Sequence, residues 1–250
     1  MTSTTKKQIL TLGSLTVVFL VLTFWKEPWL ISMSWLFPSL DPKLDKVIYD
    51  MAFFSQLVLE HGILVLVSSG LATVLGLAAG IAVTRSWGRD FLPAVSALAS
   101  MGQTFPPVAI LALAVPVIGF GFKPTIIALF LYGLLPILRN TITGIDAVAS
   151  DVLEAAYGMG MTPYQVLRQV EIPLAMPVIL AGIRISTVIN IGTATLGATI
   201  GAGGLGKPII AGLISENPAF VLEGAILVGL FAIIVDTALG VLSVKTGSGV

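Results

Sequence analysis

The residues most readily read as chemical are Gly201-Ala202-Gly203-Gly204-Leu205-Gly206-Lys207-Pro208. They fit a G-x-G-x-x-G dinucleotide fingerprint and miss a phosphate-binding P-loop by one position. Pro208 stands where a Ser or Thr hydroxyl would bind magnesium. Both motifs work only as a strand–loop–helix unit, and an apolar helical run precedes Gly201, not a strand. A glycine turn closing that run is expected instead. Cysteine is absent, so thiolate ligands, disulfides and a Cys nucleophile are excluded. The one histidine, His61, cannot build a His-cluster metal site alone. It stands beside Glu60 and is expected at the solvated mouth of a helix. No Gly-x-Ser-x-Gly elbow is present. No catalytic residue, metal site or resident cofactor is assigned to this chain.

Two further charges interrupt apolar runs, Arg184 and Asp236. Their similar depth and opposite sign predict an ion pair, which lowers the cost of two intramembrane charges; the alternative is that each snorkels separately. Glu223 is expected at an interface. Gln103 and Thr104 lie just before Pro106 and Pro107, which remove two backbone donors and predict a kink. Asn190, Thr193 and Thr195 lie in the middle of another run. Such polar groups either line a solute pathway or join helices as hydrogen-bonding glue.

The elements that must position these residues are membrane spans. Hydrophobic residues make up 56% of the 250 and charged residues only 10%. Soluble domains average roughly 45–50% and about 25%. Mean hydropathy is +1.01. Too little charged surface exists to cover a soluble globule, and zero net charge argues against nucleic-acid binding. A span needs about 20 apolar residues. Six runs qualify: Ile9 to Trp25, Gly62 to Thr84, Asp90 to Lys123, Pro124 to Leu138, Leu174 to Ile200 and Val221 to Val244. Trp25, Trp29, Trp35 and Trp87 fall near span ends, as interfacial aromatics do. Placing the N-terminus inside puts Lys6, Lys7, Arg85, Arg89, Arg139, Arg168 and Lys245 inside. Lys26, Lys43, Lys46, Lys123 and Lys207 are then outside, and the 26–61 loop also carries five acids, Glu27, Asp41, Asp45, Asp50 and Glu60. Both termini are expected inside. Residues 1–60 form an anchor helix and outer loop, and residues 61–245 the core.

Between the fourth and fifth runs the sequence writes two short helices. Asp151 is expected to cap the first, with Glu154 in the capping-box position. Gly160 supplies a left-handed turn. Thr162 caps the second, with Pro163 at its first position and Gln165 at its third. Pro173 is expected to end it. Spacing alone leaves open whether this hairpin is a plain connection or a docking element.

The string Glu154-Ala155-Ala156-x-x-x-Gly160, then Val170-x-Ile172-Pro173 nine residues on, resembles the EAA loop of bacterial ABC-importer permeases. Gln103 to Pro107, Leu129 to Asn140, Gly158 to Thr162, Pro177 to Arg184 and Ile191 to Thr195 resemble the osmoprotectant branch, of the YehW type. The resemblance implies an all-α, six-span type I (MetI-like) permease fold in the bacterial inner membrane. It implies that Glu154, Ala155, Ala156, Gly160, Thr162, Pro163 and Pro173 couple to a separate ATP-binding subunit, where ATP binds. It further implies a second permease subunit, the same or a different chain, and an extracytoplasmic binding protein. Transport of glycine betaine, carnitine or choline by alternating access is expected, with Gln103, Thr104, Pro106, Pro107, Asn190 and Thr193 lining the path. Another small solute such as an amino acid, or a stand-alone secondary transporter or channel, is the alternative.

Overall fold

The structure, a computed structural model, describes residues 3–37 and 47–247. Asp41, Lys43, Asp45 and Lys46 lie outside the described residues, as do the side chains of Lys6 and Lys245. The helices are α1 (Ser3–Phe24), α2 (Glu27–Leu36), α3 (Phe54–Thr84), α4 (Leu92–Thr104), α5 (Pro107–Ile118) and α6 (Phe122–Asp146). There follow α7 (Ser150–Gly158), α8 (Pro163–Val166), α9 (Ile172–Ala194), α10 (Gly206–Ile214) and α11 (Pro218–Gly247). Among the described residues five helical segments are long and apolar enough to cross a membrane: α1, α3, α6, the run Pro163–Ile200 and α11. The expected third span is a pair of helices, Arg89–Thr104 and Pro107–Ile118, bent by 95°.

That bend replaces the expected kink, and the tandem prolines explain it. A proline pushes the residue before it out of the α region. Two in succession push two residues: Phe105 sits at φ −79°, ψ 136° and Pro106 at φ −57°, ψ 138°. Two extended residues turn a corner that one proline would only bend.

α6 is the central helix, packed against α3, α4, α5 and α9, and α11 joins α9, α10 and α1. The central crossings depend on glycine for approach, because lipid leaves packing rather than a hydrophobic force to hold spans together. Gly76 and Gly80, one turn apart on α3, meet Ile137 and Thr141 on α6. On α9, a Cβ at Gly182 would lie 2.6 Å from the Asn140 Cβ and 2.8 Å from the Pro136 carbonyl oxygen. The backbone atom cannot swing aside. Gly182→Val is therefore expected to destabilise the bundle by about 1–3 kcal/mol, the usual cost of overpacking. Gly229→Ala, with open space around it, is the control. An unchanged unfolding midpoint for Gly182→Val in detergent would count against a tight α6–α9 crossing.

The outer segments correct the sequence expectations. α3 begins at Phe54, not Gly62, so Glu60 and His61 lie within a helix. Residues 27–36 form α2 where only loop was expected. Trp25, Trp35 and Trp87 are exposed, but Trp29 is buried. Its indole N–H donates to the Leu22 carbonyl at 2.7 Å, and its ring lies beside Phe54. Glu223 is also buried, not interfacial, within the cluster of Tyr49, Phe54 and Phe220. Its carboxylate accepts from the Tyr49 N–H at 3.0 Å.

Candidate functional site: the hairpin and the spans it joins

α7 begins as soon as the chain leaves α6, and this displaces the expected cap. Ala149 is the N-cap, with no side-chain hydrogen bond. Asp151 lies inside the first turn, where its Oδ1 accepts from the Val152 N–H at 2.9 Å. It still favours the positive end of the helix dipole, but the Asp151–Glu154 box is not formed. The other end matches expectation. Gly160 adopts φ +82°. Its N–H donates to the Tyr157 carbonyl at 2.9 Å, and the Met161 N–H to the Ala156 carbonyl at 3.2 Å. That crossed pair is the Schellman closure of a helix C-terminus. Thr162 then caps α8 reciprocally: Gln165 N–H donates to Thr162 Oγ1 at 3.4 Å, and Thr162 N–H to Gln165 Oε1 at 2.8 Å. The two helices are thus fixed from both sides of a two-residue turn. Ala156 packs inward, while Glu154 and Ala155 are exposed.

Pro173 does not end the second helix. A π-helical turn, Leu167–Glu171, follows α8 and leads directly into α9, where Pro173 takes an initial position. A wider turn gives room for a ring that clashes with the i−4 carbonyl in an α-helix. The helix from the hairpin into the span is consequently unbroken over Pro163–Ile200. Glu171 in the π-turn is buried and accepts from Arg85 Nη1, just past α3, at 2.7 Å.

Higher in the bundle, Arg184 Nε and Nη2 donate to the two carboxylate oxygens of Asp236. This bidentate pair joins α9 to α11, in the geometry that suits a guanidinium best. The expected pathway residues fall into separate groups. Gln103 Nε2 donates to the Tyr132 carbonyl at 2.8 Å, tying α4 to α6. Thr104 and Pro106 are exposed at the corner, and Pro107 starts α5. The concave side of that corner is an apolar groove of about 540 Å³. Asn190 is fully buried in α9 and donates to Ser69 Oγ at 3.0 Å and Ser68 Oγ at 3.4 Å on α3. That is a helix-joining geometry. Thr193 is half-buried.

At the far end of the bundle from the hairpin, a 3₁₀ turn (Thr195–Ile200), not a strand, precedes the glycine loop. Gly201, Gly203 and Gly204 all have positive φ. The Gly204 N–H and Lys207 Nζ both reach Glu60 Oε2, at 2.8 and 3.1 Å. The groups that would grip phosphate in a P-loop grip a carboxylate of this chain. His61 is buried rather than solvated, donating from Nε2 to the Ile191 carbonyl at 3.0 Å with Phe231 against its ring.

Residues 72–247 match the family model of the binding-protein-dependent transport system inner membrane component. The chain belongs to this family. It is a multi-pass permease subunit of an ABC importer, not an enzyme. Among its curated relatives is the "Osmoprotectant import permease protein OsmY" of Salmonella typhimurium, 45% identical over 76% of this chain and 79% of the relative. The "Glycine betaine/carnitine/choline transport system permease protein OpuCB" of Bacillus subtilis is 45% identical over 73% of this chain and 83% of its own. An inward-facing structure of the MetNI methionine ABC transporter has a chain with TM-score 0.69 and 24% identity. It covers 77% of this permease and 95% of that chain. It shows the MetI-like fold.

Several positions that shape this permease escaped the sequence reading. Glu171 carried no signal beyond being an acid between apolar neighbours. α10 was hidden in the sixth apolar stretch's approach. Glu60 and Lys207 lie 147 residues apart, with nothing local to pair them.

Proposed function

We propose that this permease imports an osmoprotectant of the glycine betaine, carnitine and choline class across the bacterial cytoplasmic membrane. The hairpin end and both termini face the cytoplasm, and the hairpin docks on an ATP-binding subunit that holds ATP. The observation that carries this reading is a hairpin fixed by a Schellman closure on one side and a capping box on the other. It also exposes Val152, Tyr157, Met159 and Tyr164. Four large apolar side chains left exposed on so short a hairpin suit a surface that a partner covers. A second permease subunit, the same or a different chain, completes the pathway. An extracytoplasmic binding protein delivers the solute at the glycine-loop end. ATP-driven closure moves the hairpin, and the unbroken Pro163–Ile200 helix rocks with it, giving alternating access. The solute class follows from the names of the relatives.

The test is uptake of labelled glycine betaine by cells with and without this chain, with unlabelled choline and carnitine as competitors. Uptake that depends on the chain and is competed supports the solute class. Unchanged uptake, with the chain still co-purifying with an ATPase, would overturn the solute class and leave the importer. Failure to co-purify would overturn the docking role.

A further inference from the structure

We propose that Arg85 and Glu171 convey the hairpin's movement to α3, so that α3 and α9 swing as one unit. This deepens the docking reading above and rests on it. The hairpin reaches α9 covalently, through the π-turn. It has no such connection to α3. Beside Arg85 the two stand apart, leaving a groove of about 440 Å³ between Ala78, Ile81 and Ala82 on α3 and Pro163, Tyr164 and Leu167. Across this gap Arg85 Nη1 meets Glu171 Oε2 at 2.7 Å, with side-chain exposures of 21% and 8%.

The rest of the guanidinium is also fixed. Nη2 and Nε reach Thr84 Oγ1 at 3.0 and 3.3 Å, and that hydroxyl donates to the Ile81 carbonyl at 2.8 Å. The planar fork therefore grips the last turn of α3 with one edge and the π-turn with the other. A lysine, with one nitrogen on a flexible stem, cannot do both. A strut matters only if α3 moves as a body with α9, and two further contacts provide this. Asn190 holds Ser68 and Ser69 in mid-bundle, and His61 holds the Ile191 carbonyl beyond it. On α9 these two contacts share one level, at Asn190 and Ile191, and the Arg85–Glu171 pair forms a second, about twenty residues away on the hairpin side. π-turns recur where a helix serves a function, and this one places Glu171 against Arg85.

The experiment uses the complete complex in proteoliposomes, with its ATPase, binding protein and labelled glycine betaine, choline or carnitine. ATP hydrolysis and solute imported per ATP are both measured for Arg85→Gln, Glu171→Gln, Arg85→Lys and the exchange Arg85→Glu with Glu171→Arg. The Gln variants and Arg85→Lys are expected to keep hydrolysis within about twofold while solute per ATP falls about tenfold, a typical coupling loss. The exchange is expected to regain a substantial part of it. Single variants with an unchanged ratio overturn the inference. So does import falling only in proportion to hydrolysis, or an exchange no better than the single variants. A wild-type complex that binds no ATPase overturns the docking reading, and this inference with it.

Discussion

Gly160→Val is expected to abolish import while the protein still reaches the membrane in normal amounts. Gly160→Asn is expected to retain most of the activity. A Cβ at Gly160 would have no atom within 4 Å, so no collision is involved. The demand is conformational: φ is +82°, a region that branched side chains avoid and asparagine tolerates. Holding valine there costs about 1–3 kcal/mol, so the correctly angled hairpin becomes up to roughly 100-fold rarer. α7 and α8 would each survive, but the angle between them would not. Aspartate resembles asparagine in this respect, so Gly160→Asp tests a new charge on the proposed docking face more than the turn. Uptake normalised to permease in the membrane checks both variants. Equal uptake by valine and asparagine variants would sink the role of the turn.

The second large effect concerns the intramembrane ion pair. Asp236→Leu is expected to lower both yield and thermal stability in detergent sharply. It leaves Arg184 without the partner that accepts from Nε and Nη2. An unpaired arginine costs about 2.5–3.5 kcal/mol at the centre of a span, and less toward its ends. Arg184→Leu should be milder, because a carboxylate can take up a proton more easily than a guanidinium can lose one. The double variant Arg184→Leu with Asp236→Leu is expected to recover most of the stability, since apolar packing often replaces an ion pair without loss. Heating followed by size-exclusion chromatography reads all three. A double variant as unstable as Asp236→Leu would mean that the two charges do not act as a pair.

The parts legible from sequence were those governed by near neighbours. Gly160 and the Thr162–Gln165 box needed only residues within one helical turn. Among the described residues the apolar runs located the five straight spans and the bent pair, because a bilayer rewards uninterrupted hydrophobicity wherever it occurs. What escaped depended on distant partners. Glu60, His61 and Glu223 read as interfacial because an unpartnered polar group belongs in water. The Ile191 carbonyl and the Tyr49 amide, which let His61 and Glu223 sit inside, and Lys207, which pairs with the half-buried Glu60, are 130 to 174 residues away. Asp151 shows a different failure. The capping pattern was present, but the exit of α6 started the next helix earlier and left the pattern unused. Pro173 reads as a stop because proline interrupts a regular α-helix. The wider turn ahead of it removes the clash that makes proline a stop.

The unbroken helix from Pro163 into α9 turns distance along the chain into an angle. Each residue advances a helix by about 100°. One residue added or lost between Thr162 and Pro173 would therefore aim the proposed docking face about a quarter-turn away from the side of α9 that carries Gly182 and Asn190. The nine residues between Gly160 and Val170 are thus a phase setting as well as a spacer, and the π-turn within them is part of how that phase is set. Side chains in the interval that neither cap nor dock can vary without disturbing this phase, whereas its length cannot.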